Sequence, residues 1–328
     1  MNYTEEATLF ECASDMLLGI LTRPVTPAKT GIIVVVGGPQ YRVGSHRQFV
    51  LLSRALAEAG YAVLRFDYRG MGDSEGETRD FLAVNEDIAA AINLMYQRIS
   101  SLQHVALWGL CDGASAALLY CFAARDLRVN GLCLLNPWVR SEASLARTQV
   151  KHYYMQRLMQ KTFWIKLFQG DVTWNALTNL MRKIYRILIS LRSTSGAVYE
   201  NSQSKRSEPA FQQKMAAGWN EFSGPIFLLL SGNDFTAKEF SDCMHRDPEW
   251  QQASRHRNLT RHDLPGADHT FSSTASRDCV TELTLRWLDE ALHIEAVHNN
   301  SCDNCIKWKK GDLVLTAASS ATADKVTV

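Results

Sequence analysis

The tightest constraint on how this chain can fold lies in residues 105–119. The apolar run Val105-Ala106-Leu107-Trp108 feeds into Gly109-Leu110-Cys111-Asp112-Gly113, which opens onto Ala114-Ser115-Ala116-Ala117-Leu118-Leu119. A buried strand, a sharp turn carrying one reactive side chain, and a helix of small residues make a nucleophile elbow, here with cysteine where serine is usual. The flanking glycines let strand and helix backbones approach closely and lift the nucleophile above the sheet edge. The competing reading of Cys111 as a small buried hydrophobe loses ground to the partners described below.

The chain alternates around this element. Residues 31–36 are a continuous, β-branched-rich apolar run suited to a buried strand, 61–66 and 131–135 read as further strands, and 45–60, 81–99 and 112–124 carry helical patterns. Ser45 is the expected N-cap of the first helix and Gly60 its stop. A hairpin over 8–23, turning near Ser14-Asp15, precedes them. The alternation stops at Pro137 and resumes with the strand Pro225-Ile226-Phe227-Leu228-Leu229-Leu230, another strand near Leu259–Leu264 and a last helix over 273–293. The predicted architecture is α/β, with a mostly parallel central sheet and helices on both faces. The core takes residues 1–137 and 223–297, a helical cap is inserted over 138–222, and the polar tail 298–328 is expected to be flexible.

Among 328 residues, 46% are hydrophobic and 21% charged, a globular composition, and a net charge of +1 gives no case for nucleic acid. The first ten residues lack the basic and apolar segments of a secretory signal. Eight cysteines, at 12, 111, 121, 133, 243, 279, 302 and 305, therefore read as reduced thiols of a cytoplasmic protein. Residues 139–206 hold twelve Lys or Arg against three Asp or Glu, interleaved with large apolar side chains. That pattern suits a lid helix with a solvated basic face, an acyl-binding cover over Cys111, or peripheral contact with an anionic membrane. His293, His298, Cys302 and Cys305 have only loosely metal-like spacing, so no metal and no cofactor is expected.

A thiol nucleophile needs a base, and the base needs an orienting acid. Asp234, in Ser231-Gly232-Asn233-Asp234, follows a strand; His269, in Gly266-Ala267-Asp268-His269, follows the last strand and precedes the last helix. The order Cys111, Asp234, His269 places each group at a strand's C-terminal end, where open α/β sheets build their sites. A turn or N-cap role is the alternative for Asp234. His245, His256 and His262 lack a glycine-bounded loop between strand and helix, and Asp268 reads as a solvated loop carboxylate. The first oxyanion donor should be the Asp112 amide; the second comes from Gly37-Gly38-Pro39-Gln40, where Gly38 or Gln40 must donate because Pro39 has no N–H. The Asp112 side chain is expected to face solvent as a helix cap; turned inward, it would select substrate. Asp67 and Arg69, in the charged loop that follows the 61–66 strand, read as structural.

With these residues in place, residues 8–295 resemble the α/β-hydrolase superfamily. More narrowly the chain resembles the exosortase A system-associated hydrolase 1 family, on Gly37-Gly38-Pro39-Gln40-Tyr41-Arg42-Val43-Gly44-Ser45-His46-Arg47, the loop 67–76, Trp108-Gly109-Leu110-Cys111-Asp112-Gly113-Ala114 and Asn136-Pro137-Trp138-Val139-Arg140. The resemblance implies hydrolase chemistry in a bacterial exopolysaccharide and protein-sorting setting. The cysteine elbow also resembles dienelactone hydrolases and polyhydroxyalkanoate synthases, which use Cys, Asp and His. The function expected is therefore hydrolysis of an acyl ester or thioester through an acyl-enzyme, on a small or polysaccharide-linked substrate. Acyl transfer by the same mechanism, or a non-catalytic scaffold that binds an acyl group or a protein partner, are the alternatives.

Overall fold

The computed structural model describes residues 2–38, 40–140 and 209–291. Within them an eight-stranded sheet runs in the order β1-β2-β4-β3-β5-β6-β7-β8. The strands are β1 (Tyr3–Cys12), β2 (Asp15–Pro24), β3 (Thr30–Val35), β4 (Ala62–Phe66), β5 (His104–Leu110), β6 (Val129–Leu135), β7 (Ile226–Ser231) and β8 (Leu259–Leu264). The β1–β2 hairpin joins β4 antiparallel, and all pairings from β4 onward are parallel.

The helices are α1 (Gln48–Glu58), α2 (Asn85–Arg98), α3 (Asp112–Ala124), α4 (Phe211–Glu221), α5 (Phe235–Arg246), α6 (Pro248–Ala253) and α7 (Thr274–Ala291). The inner strands are apolar on both sides because both sides are covered. Ile33, Val35, Leu107 and Leu134 pack with α2, α3 and α4, whereas Ile32, Val34, Ala106 and Trp108 pack with α1 and α7. Trp108 stacks edge-on against Phe49, with ring centroids 5.7 Å apart.

Two expectations are corrected. The helix expected over 45–60 starts late: Ser45–Arg47 form a 3-10 turn, His46 and Arg47 take φ of 53° and 60°, and Ser45 caps nothing. Gly60 does end the helix, at φ 99°. The segment assigned to the cap ends in α4, which is a core helix: Met215, Ala216 and Trp219 are buried with the α3 side chains. Gly218 makes that docking possible, since a Cβ there would lie 2.4 Å from the Leu118 carbonyl oxygen. Helices α5 and α6, which the sequence reading did not identify, carry Phe240 and Trp250 into an aromatic cluster around Trp219. Residues 141–208 of the expected cap and the tail 298–328 lie outside the described residues.

Candidate active site

The elbow is strained. Cys111 has φ 61° and ψ −126°, a region that side-chain-bearing residues rarely occupy. It is held by its neighbours: its amide donates to Leu135 O at 2.9 Å, and its carbonyl accepts from Ala114 at 3.1 Å and Trp138 at 3.3 Å. The two elbow glycines are needed for space. A Cβ on Gly113 would meet Val35 O at 2.2 Å, and one on Gly109 would meet Gly113 C at 2.5 Å. The Cys111 side chain is thus set at the C-terminal edge of β5, partly exposed.

His269 bridges Cys111 and Asp234. Its Nδ1 lies 2.9 Å from Asp234 Oδ2. The hydrogen bond with Asp234, then the one with Cys111, pushes the imidazole up to about 10 against the opposing effect of burial. Asp234 has both of its expected roles at once. It is the N-cap of α5, accepting from Thr236 at 3.1 Å and Ala237 at 3.0 Å, and it orients His269. Burial raises its pKa, yet the His269 hydrogen bond and charge and the two helix amides outweigh that, and the carboxyl is held below the ordinary aspartate range.

One positioning residue escaped the sequence reading. Asn136, fully buried just after β6 with φ 45°, donates from Nδ2 to Ser231 Oγ at 2.9 Å and to His269 O at 3.1 Å. Its Oδ1 accepts from the Ser231 amide at 2.9 Å, and Ser231 Oγ donates to Asp268 O at 2.9 Å. This bracket ties the ends of β6 and β7 to the His269 loop. Its signal in the sequence was a polar residue terminating an apolar strand, beside a proline.

The Asp112 side chain does not face solvent. Its Oδ1 is buried against Gly37, where a Cβ would lie 2.2 Å away. The amides of Gly38, Asp112 and Gly113 are near enough to favour the anion, although none makes a well-aligned hydrogen bond to Oδ1. The carboxylate is cradled by these amides but not tightly bonded. Burial dominates and raises its pKa. Of the two candidate second donors, the Gly38 amide borders this cradle. The Gln40 side chain accepts from Ser45 N at 3.3 Å and Gln48 Nε2 at 3.4 Å, and its backbone amide stays a candidate.

The surrounding charges are structural, as expected. Asp67 is fully buried and accepts from the Arg42 amide at 2.7 Å, from the Arg42 guanidinium and from the Asp73 amide at 3.1 Å. Arg69 Nη2 donates to Asp87 at 2.9 Å and to Glu86 at 2.7 Å. His256 is tied to Phe222 O at 2.7 Å, and His262 stacks on Phe227. Asp268 accepts from Ser272 on the exposed side of its loop.

A strand–elbow–helix, an acid after β7 and a histidine after β8 make the α/β-hydrolase fold. Residues 28–187 match the family model described as serine aminopeptidase, S33. The chain has the α/β-hydrolase fold. An esterase from Pyrococcus furiosus, Pf2001, superposes on this chain with a TM-score of 0.58 at 13% identity, covering 88% of this chain and 93% of the esterase. Est1E from Butyrivibrio proteoclasticus, in its ferulic acid complex, gives 0.56 at 15% identity over 88% and 100% of the two chains. In sequence, quorum-quenching protein AidA from Acinetobacter baumannii (strain MDR-ZJ06) is 38% identical over 118 residues, 33% of this chain and 36% of AidA. A 31.7 kDa Escherichia coli protein of the traX-finO intergenic region is 38% identical over 80 residues, 24% of this chain and 27% of that protein. The chain thus matches only about a quarter to a third of the length of these curated relatives. The matching family model is a serine-type one, and this chain has cysteine at its elbow.

Proposed function

We propose that this α/β-hydrolase cleaves acyl esters or thioesters through a Cys111–His269–Asp234 triad. The observation that carries this reading is His269 standing between the elbow thiol and the Asp234 carboxylate. Cys111 Sγ gives its proton to His269 and attacks the acyl carbonyl carbon. The Asp112 amide at the start of α3 and the Gly38 amide stabilise the oxyanion. His269 returns the proton to the departing alcohol or thiol as the carbon–heteroatom bond breaks, leaving a thioester on Cys111. Water attacks that thioester, His269 takes its proton, and the tetrahedral intermediate collapses to the acid, returning the proton to Sγ. Acylation removes the Cys111 contact that helps to raise the His269 pKa, so the imidazole is freer to act as a base in the second half.

The exposed edge of the site and the esterase neighbours favour a carboxylic ester or thioester as substrate. The resemblance of residues 37–47, 67–76, 108–114 and 136–140 to the exosortase A system-associated hydrolase 1 family favours an acyl group borne on or bound for exopolysaccharide. Intact-protein mass after exposure to a panel of acyl thioesters and activated esters tests the mechanism. A single acyl adduct, absent from Cys111→Ala, is expected; an adduct that persists in Cys111→Ala rules out the nucleophile. Loss of the adduct with free acid as product supports hydrolysis, and its passage to an added sugar hydroxyl marks a transferase.

A further inference from the structure

The least expected feature of the site is where Asp112 has put its carboxylate. The residue is the first of α3, and its carboxylate turns back towards its own amide and the loop after β3. Its own Oδ1 fills that cradle: it is buried, it has no well-aligned hydrogen-bond partner among the described residues, and it lies 2.2 Å from where a Cβ on Gly37 would stand. The amides around it are those of Gly38, Asp112 and Gly113. The Tyr68 hydroxyl, buried and also without a partner, faces the Asp112 charge, as does His269.

A carboxylate oxygen in that place resembles the oxyanion of a tetrahedral intermediate in charge and in the amides that face it. Both cannot be held by the same amides at once, and two like charges in a partly dry site repel strongly. We infer that Asp112 is a displaceable occupant of the oxyanion cradle, which must turn out or lose its charge before a substrate carbonyl can be polarised there. This rests on the acyl-enzyme reading above. Asp112 then governs which acyl groups react: only those whose binding displaces the carboxylate enter the cradle. It also protects the thiol from adventitious acyl donors that bind weakly.

The test compares wild type, Asp112→Asn and Asp112→Ala. The probe is a short-chain acyl thioester of N-acetylcysteamine, with the Cys111 adduct followed by intact mass in single turnover. Iodoacetamide alkylation of Cys111 serves as the control reaction, because displacement at its carbon develops no oxyanion. Asp112→Asn is near-isosteric and keeps the elbow filled should the alanine variant fold poorly. Both variants are expected to acylate at least about 10-fold faster than wild type, equivalent to about 1.4 kcal/mol of barrier, with alanine at least as fast as asparagine. Alkylation should change by much less than acylation. Equal or slower acylation in folded Asp112→Asn overturns the inference and makes Asp112 a group the reaction requires. Equal acceleration of both reactions also overturns it, since the effect then acts on the thiol and not on the cradle. If no protein, wild type included, forms the adduct, the acyl-enzyme reading fails and takes this inference with it; an adduct in wild type without acceleration overturns this inference alone.

Discussion

Asp234 Oδ2 accepts from His269 Nδ1 at 2.9 Å and from the Ala237 amide at 3.0 Å, so one carboxylate oxygen both orients the histidine and caps the helix behind it. The cap holds the acid still, and a still acid fixes the imidazole tautomer with its other nitrogen free to face Cys111. Asp234→Asn should therefore slow acylation by on the order of 10²–10⁴-fold. The amide can still cap α5 with its carbonyl oxygen, so the thermal midpoint should fall only modestly. Single-turnover acylation measured beside thermal unfolding checks both halves; a near-native rate would remove Asp234 from the triad.

Cysteine reactivity gives a test that needs no substrate. Burial first of all pushes Cys12 up to about 11 and Cys121 and Cys243 up to about 12, and it also raises Cys133 and Cys279. Cys111 is partly exposed at the end of β5 and has His269 beside it. Near pH 7 it should be alkylated faster than any of these five, and His269→Ala should slow it. Site-resolved labelling by peptide mass spectrometry reads this directly. Labelling of Cys111 no faster than Cys121 would mark it as a packing residue.

The Asn136 bracket predicts a split between stability and chemistry. Asn136→Ala removes three hydrogen bonds, two of them buried, and puts alanine at φ 45°, so unfolding free energy should drop by roughly 2–4 kcal/mol. Freed from Asn136, the His269 loop should lose register with Cys111. The expected sign is slower acylation together with slower Cys111 alkylation, in protein shown by circular dichroism to be folded. Unchanged rates in folded Asn136→Ala would confine the residue to stability.

The triad also sets a pH dependence. His269 is raised from 6.5 to about 10 in the folded protein, so its partnership stabilises fully below pH 6.5 and the gain is lost as pH climbs through about 10. Asp234 is lowered below 3.8, so its contribution is present above that pH and is lost as pH falls through its folded value. The unfolding midpoint of wild type should exceed that of His269→Gln by a margin that is larger at pH 6 than at pH 10.5. A margin independent of pH over that range contradicts the His269–Asp234 ion pair.

Much of this protein follows from local sequence, and the reason is the short range of the forces involved. Strands β3 to β7 are largely apolar runs of the length a sheet buries, and α3 begins at Asp112 as its small residues and preceding turn require. Cys111, Asp234 and His269 could be singled out because each stands where a strand ends in a glycine-bearing turn. The remaining features depended on contacts between segments far apart in the chain. Helix α4 joined the core because Gly218 lets it touch α3, which nothing in residues 211–221 announces. Helix α1 lost its first turn to the left-handed pair His46 and Arg47. Asn136 acquired its role only when β7 and the His269 loop arrived beside it, 95 and 133 residues further on. The direction of Asp112 was likewise a tertiary decision: the sequence fixes its place on the helix, but the approach of Gly37 and Gly38 gives its carboxylate a cradle to fill.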